Sequence, residues 1–251
     1  MAASAPPGAG AIPPPLWYEM ETDKEAAMAR LPRRFEQSRR QQPTERPLGE
    51  CPFDDLLAEA AKLHGHLCPG QVLGVRMTLA GCREVGIERP RSAGKSLVVL
   101  VEIDRCATDA IQALTGVTLG KRTLKHLDYG KMAATFVNMA TDTAVRVAAR
   151  ETARAKAAEW APAEPDPRKA QTLAYRHMPE RELLKLERVT VKPGWLDRRR
   201  VRVYCDCCGE GINYEREIRA GDRILCRPCS GESYLASPCE RAAPALGGHV
   251  G

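Results

Sequence analysis

The chain reads as an α+β protein, a mixed helix and sheet core followed by a small zinc-ribbon domain. Three observations predict this. Helix-periodic segments gather ahead of a continuous apolar run, Leu97 to Val101. Further strand-like runs follow as near neighbours, not in regular alternation with helices. Two Cys-x-x-Cys pairs, Cys205 to Cys208 and Cys226 to Cys229, sit one hairpin apart near the C-terminus, which is four-cysteine zinc-ribbon spacing.

Taken in order, residues 1–50 form a Pro- and Arg-rich basic extension with one short helix expected around Asp23 to Arg30. Its composition offers little to build a core from. The core is expected over residues 51–160. Phe53, Leu56, Leu57, Ala60 and Leu63 recur at helical spacing and Gly65 supplies a left-handed stop, so a helix is predicted from Asp54 to His64. Pro69 suits the first position of a second helix, whose apolar stripe is Val72, Val75 and Leu79. Cys68 then falls at its N-cap. Leu97 to Val101 is a buried strand bounded by Gly94 and Asp104, and Ala107 to Leu114 a short helix, which puts Cys106 at the hand-over between them.

Strands are predicted near Leu124 to Tyr129 and Ala133 to Asn138, and a helix over Thr141 to Trp160 from its high helix propensity. Residues 161–178, with Pro162 to Pro167 at their head, read as a linker. The zinc-ribbon domain is assigned to 179–239, with a helical turn from Pro179 to Leu186 and strands at Arg188 to Val191 and Arg200 to Tyr204, and 240–251 to a disordered tail.

Composition narrows the function classes. The hydrophobic share of 43% beside 28% charged residues suits a soluble globule, and no apolar run approaches membrane-spanning length. Met1 to Pro15 lacks the charged and apolar regions of a signal peptide, so a cytoplasmic location is expected. Ten cysteines in that compartment point to metal and thiolate chemistry, not disulfides. The net charge of +6 concentrates in Arg30, Arg33, Arg34, Arg39, Arg40 and Arg46 and in Arg198, Arg199, Arg200 and Arg202. Nucleic acid is disfavoured as the partner, because the ribbon offers no recognition helix and Tyr214-Glu215-Arg216-Glu217 carries both signs.

The chemistry-bearing motif is His64-Gly65-His66-Leu67-Cys68-Pro69-Gly70, joined by Asp104-Arg105-Cys106-Ala107-Thr108-Asp109. A helix N-terminus directs unpaired N–H groups and a positive dipole end at a thiol, which lowers its pKa and suits it to nucleophilic or metal chemistry. His66 is the favoured ligand of the two histidines, since it shares a turn with Cys68, whereas His64 could be a helix-end histidine. Cys82 reads as core. In the ribbon, Cys205, Cys208, Cys226 and Cys229 are the expected metal ligands and would hold a structural zinc, with Cys207 surplus and able to replace Cys205 or Cys208. Gly116 and Gly120 read as a helix cap and a turn, not a phosphate loop, and Lys121 as either a groove lysine or a surface one.

The strings HGHLCPGQVLGVRM, VEIDRCATDAIQALTGVTLGKRTL and DYGKMAATF, in that order and followed by a two-knuckle cysteine module, resemble the FmdE family. The family takes its name from one of the subunits of molybdenum or tungsten formylmethanofuran dehydrogenase. The resemblance implies an α+β core, a homodimer, a C-terminal zinc-finger module, and a groove lined by His64, His66, Cys68, Asp104, Cys106, Asp109, Lys121 and Tyr129. The basic extension and the Cys205-Asp206-Cys207-Cys208 arrangement lie outside the family pattern.

Three roles are open for that groove. Cys68, Cys106 and His66 could hold a second metal or a molybdenum- or tungsten-pterin-related ligand, the chain serving a Mo/W oxidoreductase as subunit or accessory factor. Alternatively the chain is a stand-alone enzyme with a Cys68 or Cys106 thiolate as nucleophile, His66 as base and Lys121 stabilising negative charge. In the third role the chain is a zinc-ribbon interaction protein without catalysis.

Overall fold

Side-chain alternation on one strand sets the layering. In β1 (Leu97–Val101) all five residues are buried: Leu97, Val99 and Val101 join the main core, while Val98 and Leu100 join a smaller cluster on the opposite face. A strand covered on both sides reads as a continuous apolar run. The structure, a computed structural model, describes residues 46–192, 194–196 and 199–235. The expected helix at 23–30 and the tail at 240–251 lie outside the described residues, as does Cys239.

Ahead of β1 stand α1 (Phe53–His64) and α2 (Pro69–Glu84). Gly65 ends α1 in the left-handed region at φ 89°, its N–H donating to Ala61 O at 2.7 Å, and Pro69 opens α2 behind Cys68. After β1 come α3 (Cys106–Thr115), β2 (Leu124–His126), β3 (Ala133–Asn138) and β4 (Thr143–Ala149). Four more helices, α4 (Glu151–Ala155), α5 (Ala157–Trp160), α6 (Pro167–His177) and α7 (Glu180–Leu183), lead into β5 (Leu184–Arg188). The sheet order is β2-β1-β3-β4-β5, with β1 and β2 parallel and the other pairs antiparallel.

One face of the sheet is covered by α2, which crosses β3 and β4 and carries α1, α3 and α6 around it. Close approach requires glycine at two points. A Cβ on Gly81 would stand 2.2 Å from the Phe136 ring, and one on Gly74 would stand 2.5 Å from Ala107 O and 2.6 Å from Ala110 Cβ. Helix α6 is tied to α2 by Arg76, whose guanidinium donates to the carbonyls of Tyr175, Arg176 and Met178 at 3.2, 3.1 and 2.9 Å. Those are carbonyls that a helix end leaves without partners. On the other face Val98, Leu100, Val137 and Ala144 pack with Val189, Val191 and Leu196. There the carboxylate of Glu102 takes two hydrogen bonds from Arg146, at 2.6 and 2.8 Å.

Four expectations need correction. Residues 141–160 do not form one helix: the first part is β4, followed by the short helices α4 and α5. Val145 and Val147 fill the core beside Phe136, and pairing with β3 outweighs the helix propensity of the Ala/Arg/Glu composition. The stretch 161–178 is not a bare linker, since Asp166 caps α6 by accepting from Arg168 N and Lys169 N and Pro167 takes the first helical position. The strand expected at 188–191 is β5, at 184–188, and it belongs to the core sheet. The strand expected from Leu124 to Tyr129 stops at His126.

The C-terminal module holds two short hairpins, β6 (Arg202–Tyr204) with β7 (Gly211–Asn213) and β8 (Ile218–Ala220) with β9 (Arg223–Leu225). Its apolar cluster is small, with only Cys205, Ile212 and Leu225 buried among the described residues.

Candidate metal centre

Three helix ends converge on one point of the helical layer. His64 is the last residue of α1, Cys68 the N-cap of α2 and Cys106 the first residue of α3. One donor atom from each lies within 4.8 Å of the other two. Gly70 makes the meeting of α2 and α3 possible, because a Cβ there would stand 2.8 Å from Cys106 Cβ. The Pro-Gly that follows Cys68 therefore has a local and a packing reason. Pro69 starts the helix, and Gly70 clears the space that Cys106 occupies.

His64 is held in one tautomer. Its Nδ1–H donates to Oδ2 of Asp109 at 2.8 Å, an assignment fixed by the carboxylate, which can only accept when ionised. Asp109 lies three residues beyond Cys106 on α3, the spacing that puts both on one helix face. The other ring nitrogen, Nε2, is buried and has no hydrogen-bond partner. Leaving such an acceptor unsatisfied costs about 1–3 kcal/mol. An imidazole with one nitrogen anchored by a carboxylate and the other buried and bare, grouped with two thiols, is a metal-ligand arrangement. Two sulfurs and one nitrogen suit zinc, copper(I) or another soft transition metal, and three protein ligands leave a coordination position open.

The thiols depart from one expectation. Its place at a helix N-terminus predicts an easily ionised Cys106, but burial pushes the thiol above the ordinary value, and Cys68 beside it pushes the same way. Desolvation of the charged form outweighs the helix-end field.

The other predicted groove residues divide. His66 stacks on His64 with ring centroids 4.6 Å apart but is not one of the three converging donors. The turn leaves His66 exposed, and the histidine grouped with the two thiols is His64, at the end of α1. Asp104 is exposed in the loop before α3. Tyr129 is also exposed, in a loop whose backbone is tied to Glu102 O at 3.2 Å, at the same end of the sheet. Lys121 is not brought to the groove. Its Nζ donates to Gly116 O at 3.1 Å, at the C-terminal end of α3, the opposite end from Cys106. A helix of ten residues is about 15 Å long, so Lys121 neither lines the cluster nor can stabilise charge there.

Gln71 joins the site without a motif to announce it. Its side chain is fully buried, its Nε2 donates to Cys106 O, and its Oε1 has no partner. The signal in the sequence is an amide on a helix face whose other buried side chains are apolar apart from Thr78.

The second donor group is the ribbon's: Cys205, Cys208, Cys226 and Cys229 lie mutually within 4.8 Å, and Cys207 is not among them. Asp206 joins the hairpins by accepting from Ile224 N at 2.6 Å and donating its own N–H to Ile224 O at 2.8 Å. Burial opposes ionisation of Cys205, but backbone N–H groups of Cys208, Cys226 and Cys207 outweigh it and hold the thiol down to about 6. Four thiols aimed at one point fit a closed tetrahedral metal shell such as zinc prefers.

Comparison with known proteins identifies the family. The family described as "FmdE, Molybdenum formylmethanofuran dehydrogenase operon" matches residues 63–188, half of the chain and the stretch that runs from the end of α1 to the end of β5. The chain belongs to the FmdE family. A relative from Archaeoglobus fulgidus, described as a "Probable S-adenosyl-L-methionine-binding protein", is 42% identical over 94 residues, which are 37% of this chain and 26% of that protein. The FmdE chain thus matches about a quarter of that relative's length. Among solved structures, an FmdE-like protein of the tungsten formylmethanofuran dehydrogenase type, from Syntrophus aciditrophicus, superposes with a TM-score of 0.53. That alignment is 22% identical and covers 77% of this FmdE chain and 100% of the other, a likeness of fold. Among the described residues no helix is long and apolar enough to cross a membrane.

Proposed function

We propose that this FmdE protein is a metal-handling protein of the cytoplasm, a homodimer in which His64, Cys68 and Cys106 bind a soft transition metal or the metal of a pterin-type cofactor. In this reading it serves a molybdenum- or tungsten-dependent oxidoreductase of the formylmethanofuran or formate dehydrogenase type as subunit or accessory factor. The observations that carry the reading are the bare, buried Nε2 of His64, a ring oriented by Asp109, and the grouping of that histidine with two thiols. A bound metal would supply a Lewis-acidic position open to one further ligand. His64, Cys68 and Cys106 would hold it, with Asp109 orienting the imidazole. The ribbon, in the same reading, carries a structural zinc.

A second reading uses the same atoms. With His64 Nε2 as base and Asp109 as its orienter, Cys68 or Cys106 would be the nucleophile of a stand-alone thiol enzyme.

Elemental analysis of the full chain, purified without added metal, separates the two. The metal reading expects a second metal beyond the ribbon's, lost in His64→Ala and in Cys68→Ala. Metal confined to the ribbon, with Cys68 or Cys106 alkylated by iodoacetamide in a His64-dependent way, would replace it with the thiol-enzyme reading.

A further inference from the structure

Two acceptors are buried without partners near this centre: Nε2 of His64, at the end of α1, and Oε1 of Gln71, in the first turn of α2. A metal answers the first, and it leaves the second. Gln71 stands three residues past Cys68 on α2, has no solvent exposure, and spends its amide N–H on the Cys106 carbonyl. That bond fixes which end of the carboxamide is which, since turning it over would set two carbonyl oxygens against each other. The oxygen is thereby left as a buried acceptor without a partner, on a side chain whose nitrogen is bonded to the backbone of a residue that supplies one of the thiols. A buried carbonyl without a donor costs about 1–3 kcal/mol, a cost removed by any group that brings an O–H or N–H into the site.

We propose that Gln71 Oε1 accepts a hydrogen bond from the ligand at the open position of the His64–Cys68–Cys106 centre, so that the centre selects ligands carrying a proton over bare anions. The inference rests on the metal reading above and deepens it. Water, an alcohol or a protonated amine bound at the open position would be held by the metal and by Gln71 together. A bare anion at the same position would set its lone pairs against Oε1 and displace the hydrogen-bonded water. Gln71 is a specificity-determining residue of the centre, and a second task, steadying the start of α3 through the Cys106 carbonyl, falls to its amide nitrogen.

The test uses the full chain loaded with cobalt(II), whose visible ligand-field bands report coordination, and titrates it with azide, an anion without a donor hydrogen. The four-cysteine ribbon has no open position, so an azide-dependent band reports the core centre. Gln71→Met, similar in length and apolar, is expected to keep cobalt stoichiometry and thiolate charge-transfer absorption while binding azide about tenfold more tightly, the worth of one hydrogen bond. Gln71→Glu keeps an acceptor oxygen in either protonation state and is expected to bind azide no more tightly than the native chain. Equal azide affinity in the native chain and Gln71→Met would overturn the role of Gln71 and leave the metal reading standing. Tighter binding by Gln71→Glu would overturn it as well, and that variant decides the matter if Gln71→Met does not fold. A native chain with no azide-responsive cobalt band would overturn the metal reading and the inference with it.

Discussion

His64 and Asp109 are 45 residues apart in sequence and 2.8 Å apart in the fold, where the carboxylate accepts a hydrogen bond from Nδ1 and leaves Nε2 buried and bare in a side chain grouped with two thiols. Asp109→Ala should therefore lower the affinity of the core centre for zinc by about 10–100-fold, the usual consequence of removing a carboxylate behind a metal-bound imidazole. Ribbon affinity should be unaffected. Competition with a chromophoric chelator measures both, and an unchanged core affinity would remove Asp109 from the account of the site.

The close approach of α2 and α3 at Gly74 makes a second expectation. Gly74→Ala would place its methyl group 2.5 Å from Ala107 O and 2.6 Å from Ala110 Cβ, so the helices must separate. Overpacking of this kind costs about 1–3 kcal/mol. The urea midpoint should fall, and the core should bind metal less tightly even though no ligand has been touched. A variant as stable as the native chain would mean that the two helices slide at little cost.

Arg76 offers a purely structural prediction. Burial lowers the pKa of its guanidinium below the ordinary value, because the charge is partly desolvated, and it serves three carbonyls at the end of α6. Arg76→Met keeps the apolar stem and removes the donors, with an expected loss of about 1.5–3 kcal/mol for hydrogen bonds from a charged group. Chemical denaturation measures it.

Acid should loosen the same region. Glu180 accepts from Arg83 at 2.8 and 3.0 Å, and these bonds hold its carboxyl below the ordinary value of 4.5. A carboxylate with a depressed folded pKa contributes stability that is complete above its unfolded value and is lost as pH falls through the folded one. The native chain should therefore lose stability below about pH 4.5 more steeply than Glu180→Gln. The contribution is a modest one, since solvent screens a partly exposed pair. Parallel pH profiles of the two proteins would refute this.

Stripping the ribbon of metal is the fifth test. With three-residue strands and, among the described residues, three buried side chains, the module has little apolar area to sustain it, so metal binding is expected to supply most of its folding free energy. A strong chelator should abolish hydrogen-exchange protection at the amides of Ile224 and Cys226 while β1 and β3 keep theirs.

How far the sequence carries these features depends on where the determining force lies. Gly65, Pro69 and the Val-rich run of β1 act locally, and each is where the residues indicate. The cysteine knuckles are equally legible, because their ligand spacing is written within the chain. Residues 143–149 are not, since their strand exists only through pairing with β3 on one side and β5 on the other. Asp166-Pro167 carries a readable helix start that the surrounding Pro, Glu and Asp residues obscure. The choice of His64 over His66 turns on which way one helix terminus faces a second helix about 40 residues on, and Gln71 on a contact across the same gap. No local pattern encodes either.

The three core donors come from three different helices, and none can complete the set until all three ends are docked. A metal that binds only the assembled chain adds to folding stability in proportion to the logarithm of its free concentration over its dissociation constant. If the core holds a metal as proposed, its melting temperature would be a readout of metal supply: in a metal-poor cell the helical layer would be the part to open and be degraded, and the amount of intact protein would follow the metal available to it.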